Sequence, residues 1–357
     1  MTTRTRYFVI ASLLVLGVGI GSGLVAYYAG YPMSALAGRG GPDELKYVPR
    51  DATVLAYADV RGVMTSELRR KLHEAAPMSE NGQREFQERT GINIETDIEH
   101  VVAFVAPGVG ASLPPGSGAH GFPGGGMVLA RGLFDAVKIE ALMREHGARV
   151  EDYKGKRLIV ADIKPKRMEI ATDAQPPALP DAAADGFALA FLEPGLAAVG
   201  SASLVRSAID NQANGQNVTT NDEMMNLVRS LDSGNAWAVG RFDALQKQAH
   251  LPPEVASRIP PITWFSVSSH INGGITGVIR AETRDEESAT NLRDVMRGFM
   301  ALAKMQVSSK PEYQAMMQSL ELGGTGKTVA LSFAIPADVF DMIGHKVGKL
   351  PEKPIGH

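Results

Sequence analysis

The sequence predicts an α+β protein: a mixed, mainly antiparallel sheet with helices on one face, built from two related strand-helix-hairpin-helix halves and preceded by one N-terminal transmembrane helix. Three observations support this prediction. Short apolar runs alternate with amphipathic stretches, and several of the runs are separated by tight-turn residues, which favours antiparallel pairing. A ten-residue pattern occurs twice, and an uncharged apolar run stands near the N-terminus.

The apolar run, residues 7–28, has the length of a membrane-spanning helix. It contains no charged residue, and about 20 apolar residues cross the hydrocarbon core of a bilayer. Arg4 and Arg6 precede it, whereas the next basic residue is Arg39. The positive-inside rule therefore predicts a single-pass signal anchor with a cytoplasmic N-terminus, residues 1–6, and a main domain that is periplasmic or extracellular.

Two alternatives for this run stay open. Ala35-Leu36-Ala37 fits a signal-peptidase site, so the segment could be cleaved after Ala37, whereas the length of the run favours a retained anchor. The run also contains small-xxx-small pairs, a spacing that lets two helices approach closely. The pairs are Gly17 with Gly21 and Gly19 with Gly23. Self-association in the membrane is one interpretation, and the ordinary abundance of glycine in such helices is the other.

The remaining chain is divided by composition. Residues 29–43 are rich in Pro, Gly and Ala and predict a tether. One extracytoplasmic domain is predicted over 44–346, with halves at about 44–212 and 234–346, and a flexible tail over 347–357. Two separately folding domains are the alternative.

The composition, 44% hydrophobic and 21% charged with a net charge of −3, is typical of a globular protein. It gives no basic field of the kind that binds nucleic acid, so no nucleic-acid partner is expected. The chain has no cysteine, which excludes disulfides, thiolate metal sites and a lipid-modified cysteine. Packing must therefore stabilise the domain.

The first half is predicted from apolar runs and helix-boundary signals. Strands are predicted at 53–59, 100–106 and 127–132, then in hairpins at 150–162 and 187–200. Helices are predicted at 66–76, 82–89 and 202–211, with Gly91 ending the second of them. Residues 107–126 are rich in Gly and Pro and predict a long loop, and 164–185 a Pro/Ala-rich insert.

An internal repeat links the two halves. VLARGLFDAV, residues 128–137, aligns without gaps on AWAVGRFDAL, residues 236–245, and Gly132/Gly240 and Asp135/Asp243 are identical. Each copy is predicted as a strand that leads into a helix, with the Asp in the first helical turn. A hairpin and another helix are predicted to follow in both copies.

The second half is predicted to continue with a hairpin that turns near Asn272-Gly273, a strong hairpin signal. Its strands are predicted at 263–270 and 275–282, followed by helices at 284–304 and 311–320 and a strand at 328–334. Pro336 opens a last predicted helix that ends near His345.

No catalytic residue, cofactor or metal site is predicted. The eight histidines are not spaced as metal ligands, and the common hydrolase motifs are missing from the sequence. Residues 323–328 (GGTGKT) look like a phosphate-binding loop, but Glu321 occupies the position of the first glycine and a strand is predicted to follow. The glycines there predict a turn.

Methionines are concentrated in the C-terminal helices. They are Met296, Met300, Met305, Met316 and Met317. Because thioethers adapt to irregular apolar partners, these helices could line a groove for a lipid-like ligand or another protein. Filling of the core is the alternative interpretation of the same residues.

Several stretches resemble an uncharacterised bacterial group of single-anchor extracytoplasmic proteins, whose domain has no known function. They are the anchor, VPRDATVLAYADV, FQERTGINIETDIEHVVAFV and the two FDA units. The resemblance implies an envelope location and transfers no catalytic motif.

Three functions are consistent with these observations. The favoured hypothesis is a membrane-anchored interaction or scaffold domain of the cell envelope, which would bind an envelope protein or a second copy of itself. The second is a binder of an apolar or lipid-like ligand. The third is an enzyme whose site is made of dispersed residues.

Overall fold

The computed structural model describes residues 41–75, 80–107, 126–161, 186–232, 234–243, 260–307 and 311–336. The predicted anchor with its glycine pairs, most of the tether, the Gly/Pro-rich loop, the Pro/Ala-rich insert, the last predicted helix and the tail lie outside these residues. Among the helices that are described, none is both long enough and apolar enough to cross a membrane.

One large antiparallel sheet organises the described chain, so the α+β class is confirmed. Its strands are β1 (Val54–Ala58), β2 (Ile98–Val105), β3 (Gly126–Gly132), β4 (Arg149–Tyr153), β5 (Lys156–Ala161), β6 (Phe187–Glu193), β7 (Leu196–Ser201), β8 (Ala236–Arg241), β9 (Ile262–Ile271), β10 (Gly274–Thr283), β11 (Glu321–Gly323) and β12 (Thr328–Pro336). They lie in the order β11-β12-β10-β9-β8-β1-β2-β3-β7-β6-β5-β4.

Helices connect or follow these strands. The α-helices are α1 (Val60–Met64), α2 (Glu67–Ala75), α3 (Glu80–Thr90), α4 (Ala136–Glu145), α5 (Ala202–Asn214), α6 (Asp222–Arg229), α7 (Glu286–Val307) and α8 (Pro311–Gln318). Two 3₁₀ turns are η1 (Asp43–Tyr47) and η2 (Val218–Thr220). The sequence prediction missed α1, α6 and β11.

The prediction of helices on one face is wrong, because helices pack on both. On the face that we call the η1 face, Leu55, Phe104 and Leu129 share one core with apolar residues of η1, α5 and α6. On the opposite face, the α7 face, Ala58 packs with residues of α1, and Ala281 packs with residues of α7. The central strands are apolar on both sides, so both sides must be covered.

The two repeated units continue differently in the sheet. In the first, β3 pairs with β7, the second strand of the hairpin that joins the sheet beside it. In the second, β8 pairs with β9, the first strand of its hairpin. The strands β1 and β2 lie between the two units and pair with β8 and β3 respectively.

Glycines with positive φ occur at several turns of the described chain. Gly91 has φ +77 directly after α3, as expected for a helix C-terminus. Lys154 and Gly155 both have positive φ, 52 and 77, and form the two-residue connection between β4 and β5. Gly324 and Gly326 also have positive φ and precede β12, so this loop leads into a strand, as predicted.

Candidate functional site

A buried ionic cluster lies where the chain enters the sheet. Glu44, in η1, has a side chain that is only 3% exposed. Its Oε1 accepts a hydrogen bond from Arg131 Nε at 2.8 Å, and Arg131 Nη2 lies 2.7 Å from the same oxygen. The other oxygen, Oε2, lies 3.1 Å from His100 Nε2. Since His100 and Arg131 are paired across β2 and β3, the register of the sheet brings both to Glu44.

The contact between Glu44 and His100 is short and lies at the buried end of the imidazole. His100 Nε2 is buried, and its orientation does not meet hydrogen-bond geometry despite the short distance to Oε2. Burial by itself raises the pKa of Glu44, but the contacts with His100 and Arg131 outweigh it and lower the pKa to about 2.

Glu193, at the end of β6, extends the cluster. Its Oε1 accepts a hydrogen bond from the Tyr47 hydroxyl at 2.7 Å and lies 2.7 Å from Lys46 Nζ. Its Oε2 lies 3.4 Å from Arg131 Nη2. The hydrogen bonds from Lys46 and Tyr47 lower the pKa of Glu193, and burial together with Glu193 raises the pKa of Tyr47. Arg131 thus bridges two carboxylates, and η1 contributes three side chains to the cluster.

An aromatic row continues the cluster across the sheet. The Tyr57 ring stacks on Trp237, which is its partner on β8, at a centroid distance of 5.6 Å. On its other side Tyr57 contacts the His100 ring, also at 5.6 Å. Burial, and then the charges of Asp59 and Glu44, raise the pKa of the Tyr57 hydroxyl. The row meets the cluster at His100, on the side of β1.

These geometries suit attachment better than acid–base chemistry. Both carboxylates of the cluster already accept from side chains of the same chain, and their lowered pKa values make them weak proton acceptors at neutral pH. The cluster therefore fastens η1 to β2, β3 and β6. Among the described residues, no group of three or more His, Cys, Asp or Glu side chains is arranged to hold a metal ion.

An open polar cleft of about 720 Å³ begins two residues after Tyr47. It lies between the loop that follows η1, the helix α5 and the η2–α6 connection. Its lining residues are Pro49, Arg50, Asp51, Ser207, Asn211, Gln216, Thr220, Asn221, Asp222 and Glu223. A polar lining of mixed charge differs from the mostly apolar walls of ordinary small-molecule pockets.

The methionines singled out in the sequence do not share one environment. Met317, in α8, is buried, and Met296 packs beside the small core formed by α7, β10 and β12. Met300 and Met316 are half-buried, and Met305 is exposed. The glycines Gly17, Gly19, Gly21 and Gly23 lie outside the described residues.

Sequence reasoning did not identify the cluster as a site. Its members come from four elements, and Glu44 and Glu193 are 149 positions apart, so no local motif contains them. The available signals were a glutamate directly before the LKYV segment and an arginine inside the apolar strand MVLARG. Neither residue indicates which side chains it contacts, because those contacts depend on the order of the strands in the sheet.

Comparisons with known proteins give little further information. No family model and no curated protein matches this chain. Three chains of solved structures match it, among them crystal form I of TP0453, which has 10% sequence identity and a TM-score of 0.44 over 87% of this chain and 99% of that chain. A similarity at this level carries no argument about function.

Proposed function

We propose that this chain is a membrane-anchored interaction or scaffold domain of the bacterial cell envelope, with a cytoplasmic N-terminus and the folded domain on the other side of the membrane. The observation that carries the proposal is the attachment of η1. The predicted tether ends at residue 43, and the next residue, Glu44, is the buried centre of the ionic cluster. Because one tether connects the domain to the membrane, any force between the two passes through the junction of the tether and η1. The ionic cluster stabilises this junction.

The surface that suits a protein partner lies at the start of α4. Leu133 is 68% exposed and Val137 81% exposed, and Phe86 on the contacting helix α3 is exposed as well. Apolar side chains at this level of exposure gain free energy when a partner removes them from water. We assign the interaction to this surface, which we call the α4 surface.

Site-specific photo-crosslinking in intact cells tests the proposal. A photoreactive residue at Val137 of the full chain should give a discrete protein adduct, either with an envelope protein or with a second copy. The same residue at Glu223, which is exposed on α6, is the matched control and should give none. Adduct formation at Val137 should also fall when Leu133 is changed to Asp. Equal labelling at the two positions, or no adduct at either, would contradict the assignment.

Binding of an apolar or lipid-like ligand is the second candidate function. The exposure of Met305 and the partial burial of Met300 and Met316 favour it. Native mass spectrometry of the protein released gently from its own membrane would detect a bound lipid as added mass. A protein that carries no added mass would argue against this candidate.

A further inference from the structure

The polar cleft beside η1 has walls that hydrogen bonds hold in place. Asn221 Nδ2 donates to the Arg50 carbonyl oxygen at 2.9 Å, which joins the start of α6 to the loop after η1. A β-bridge between Pro49 and Asn217 joins the same loop to η2, and the Thr220 hydroxyl donates to the Asn217 carbonyl at 2.8 Å. The cleft is therefore a built part of the fold, with two of its walls fastened to each other.

Side chains that line the cleft carry polar groups that the fold does not use. Within the described part of the chain, Arg50, Asp51, Gln216 and Asp222 make no side-chain hydrogen bond or ion pair. All four are exposed. Opposite charges thus line one cleft without pairing with each other. A ligand can bind these groups without breaking a contact of the folded chain.

The chemistry of the lining selects a class of ligand. Arg50 contributes a guanidinium, whereas Asp51, Asp222 and Glu223 contribute carboxylates, so the cleft is acidic and disfavours anions. Most of the other lining residues carry amides or hydroxyls. Sugar hydroxyls donate and accept hydrogen bonds at the same time and so match such groups. A protonated amine on the sugar adds a charge-assisted contact with a carboxylate.

Other classes of ligand fit this lining less well. Peptides bind mainly through apolar anchors or sheet edges, and Pro49 is the apolar residue of the lining. A phosphate-bearing ligand would meet an excess of carboxylates. The volume of about 720 Å³ lies within the range of ~300–1,000 Å³ that is common for small-molecule sites.

We propose that this cleft binds an amino sugar, with the carboxylates of Asp51 and Asp222 contacting the protonated amine and with Arg50 and Gln216 contacting the hydroxyls. The site is separate from the α4 surface, which involves α3 and α4. The inference therefore stands or falls independently of the protein interaction proposed there.

Isothermal titration calorimetry of the full chain in detergent tests the proposal with three trisaccharides of different charge. The glucosamine trimer is cationic, the N-acetylglucosamine trimer is neutral and the galacturonic acid trimer is anionic. We expect the cationic trimer to bind about 10-fold more tightly than the neutral one, because a charge-assisted hydrogen bond is replaced by a neutral one. The anionic trimer should show no binding.

Substitutions locate the binding site. Asp51→Asn combined with Asp222→Asn should lower the affinity for the glucosamine trimer to that for the neutral trimer. Glu145→Gln, at an exposed position on α4, is the matched control and should leave the affinity unchanged. Arg50→Met should weaken the binding of both trimers, since Arg50 is assigned to the hydroxyls that they share.

An alkyl glucosaminide mixed into the micelles distinguishes two sources of the sugar. Tighter binding than that of the trimer indicates a lipid headgroup, and binding that is no tighter indicates a soluble glycan. Equal affinity for the three trimers, or no binding of the glucosamine trimer or the glucosaminide, would overturn the proposal. A loss of affinity in Glu145→Gln as large as that in the double variant would also overturn it.

Discussion

At the scale of single residues, Glu44 is the buried centre of the ionic cluster. It is buried and ionised, and it lies 2.7 Å from Arg131 Nη2 and 3.1 Å from His100 Nε2, on two neighbouring strands. Removing one member of a buried ion pair costs more than the pair contributes, because the remaining charge loses its partner. The stability of the entry segment therefore depends on this carboxylate.

We predict that Glu44→Gln lowers the free energy of unfolding by about 3 kcal/mol. The amide keeps the size of the side chain but leaves Arg131 with a weaker acceptor. Urea denaturation of the purified full chain measures the change. Glu99→Gln is the control, since the Glu99 side chain is 46% exposed and lies 3.8 Å from Arg61. A similar loss for both variants would contradict the role given to Glu44.

Stability should also depend on pH in a defined direction. The pKa of Glu44 is lowered from an ordinary value of 4.5 to about 2 in the folded protein. Its contribution is therefore complete above the unfolded pKa and is lost as the pH falls from about 4.5 through about 2, where the unfolded chain binds a proton that the folded chain does not. The lowered pKa of Glu193 acts in the same direction.

Denaturation curves measured at intervals of about one pH unit between pH 6 and pH 2 should show that the free energy of unfolding of the natural protein falls with pH. In Glu44→Gln the slope of stability against pH should be smaller over the same window. A variant with an unchanged slope would show that other carboxylates govern the acid response.

At the scale of elements, the repeated glycine has a physical explanation in both copies. A Cβ on Gly132 would lie 2.0 Å from the Asp97 carbonyl oxygen, and one on Gly240 would lie 2.7 Å from that of Thr53. Each glycine thus permits the backbone of an adjacent segment to approach the end of a strand. The repeated Asp differs between copies: Asp135 caps α4 by accepting from the Lys138 N–H, whereas Asp243 pairs with Arg241.

A pair of glycine substitutions tests this explanation. Gly132→Ala should destabilise the protein by about 3 kcal/mol or more, because the clash is with backbone and the strand must move. Gly298→Ala, in the exposed part of α7 with nothing within 4 Å of the added carbon, should stabilise it by up to about 1 kcal/mol. Thermal unfolding of the two variants provides the comparison, and a decrease in both would contradict the assigned cause.

Element types were predictable where local chemistry decides them. The Asn272-Gly273 turn, the end of α3 at Gly91 and the amphipathic α7 follow from neighbouring residues. The helix α6 was missed because it lies between the two predicted halves, 44–212 and 234–346, whereas its Met224 and Met225 are buried in the main core. The ionic cluster was missed because its contacts require the order of strands that are distant in sequence.

At the scale of the whole molecule, the proposed location makes a simple prediction. Protease added to intact spheroplasts should remove the domain beyond residue 40, because the positive-inside bias places it outside the cytoplasm. Protection of the whole domain until the membrane is permeabilised would reverse the topology. A reporter fused before Arg4 is the internal control and should stay protected.

The antiparallel class was predictable because hairpin signals are local, but the arrangement of the strands was not. A hairpin follows each repeated unit, but the sequence does not show which strand of the hairpin pairs with the strand of the unit. In the structure β3 pairs with β7, the second strand of its hairpin, and β8 pairs with β9, the first strand of its hairpin. The coverage of both faces was also missed. Helices cover both faces because β1 and β2 carry apolar residues on both sides. The prediction of helices on one face did not take these residues into account.

The central position of β1 has a consequence for the order of folding. Among the strands of the described residues this one is made first, yet one of its two neighbours, β8, begins only at Ala236. Until about 180 further residues have been synthesised, β1 has an open edge that could pair with another chain. Completion of the sheet must therefore wait for the second half, so a chain that is truncated before β8 should aggregate rather than fold as a smaller domain.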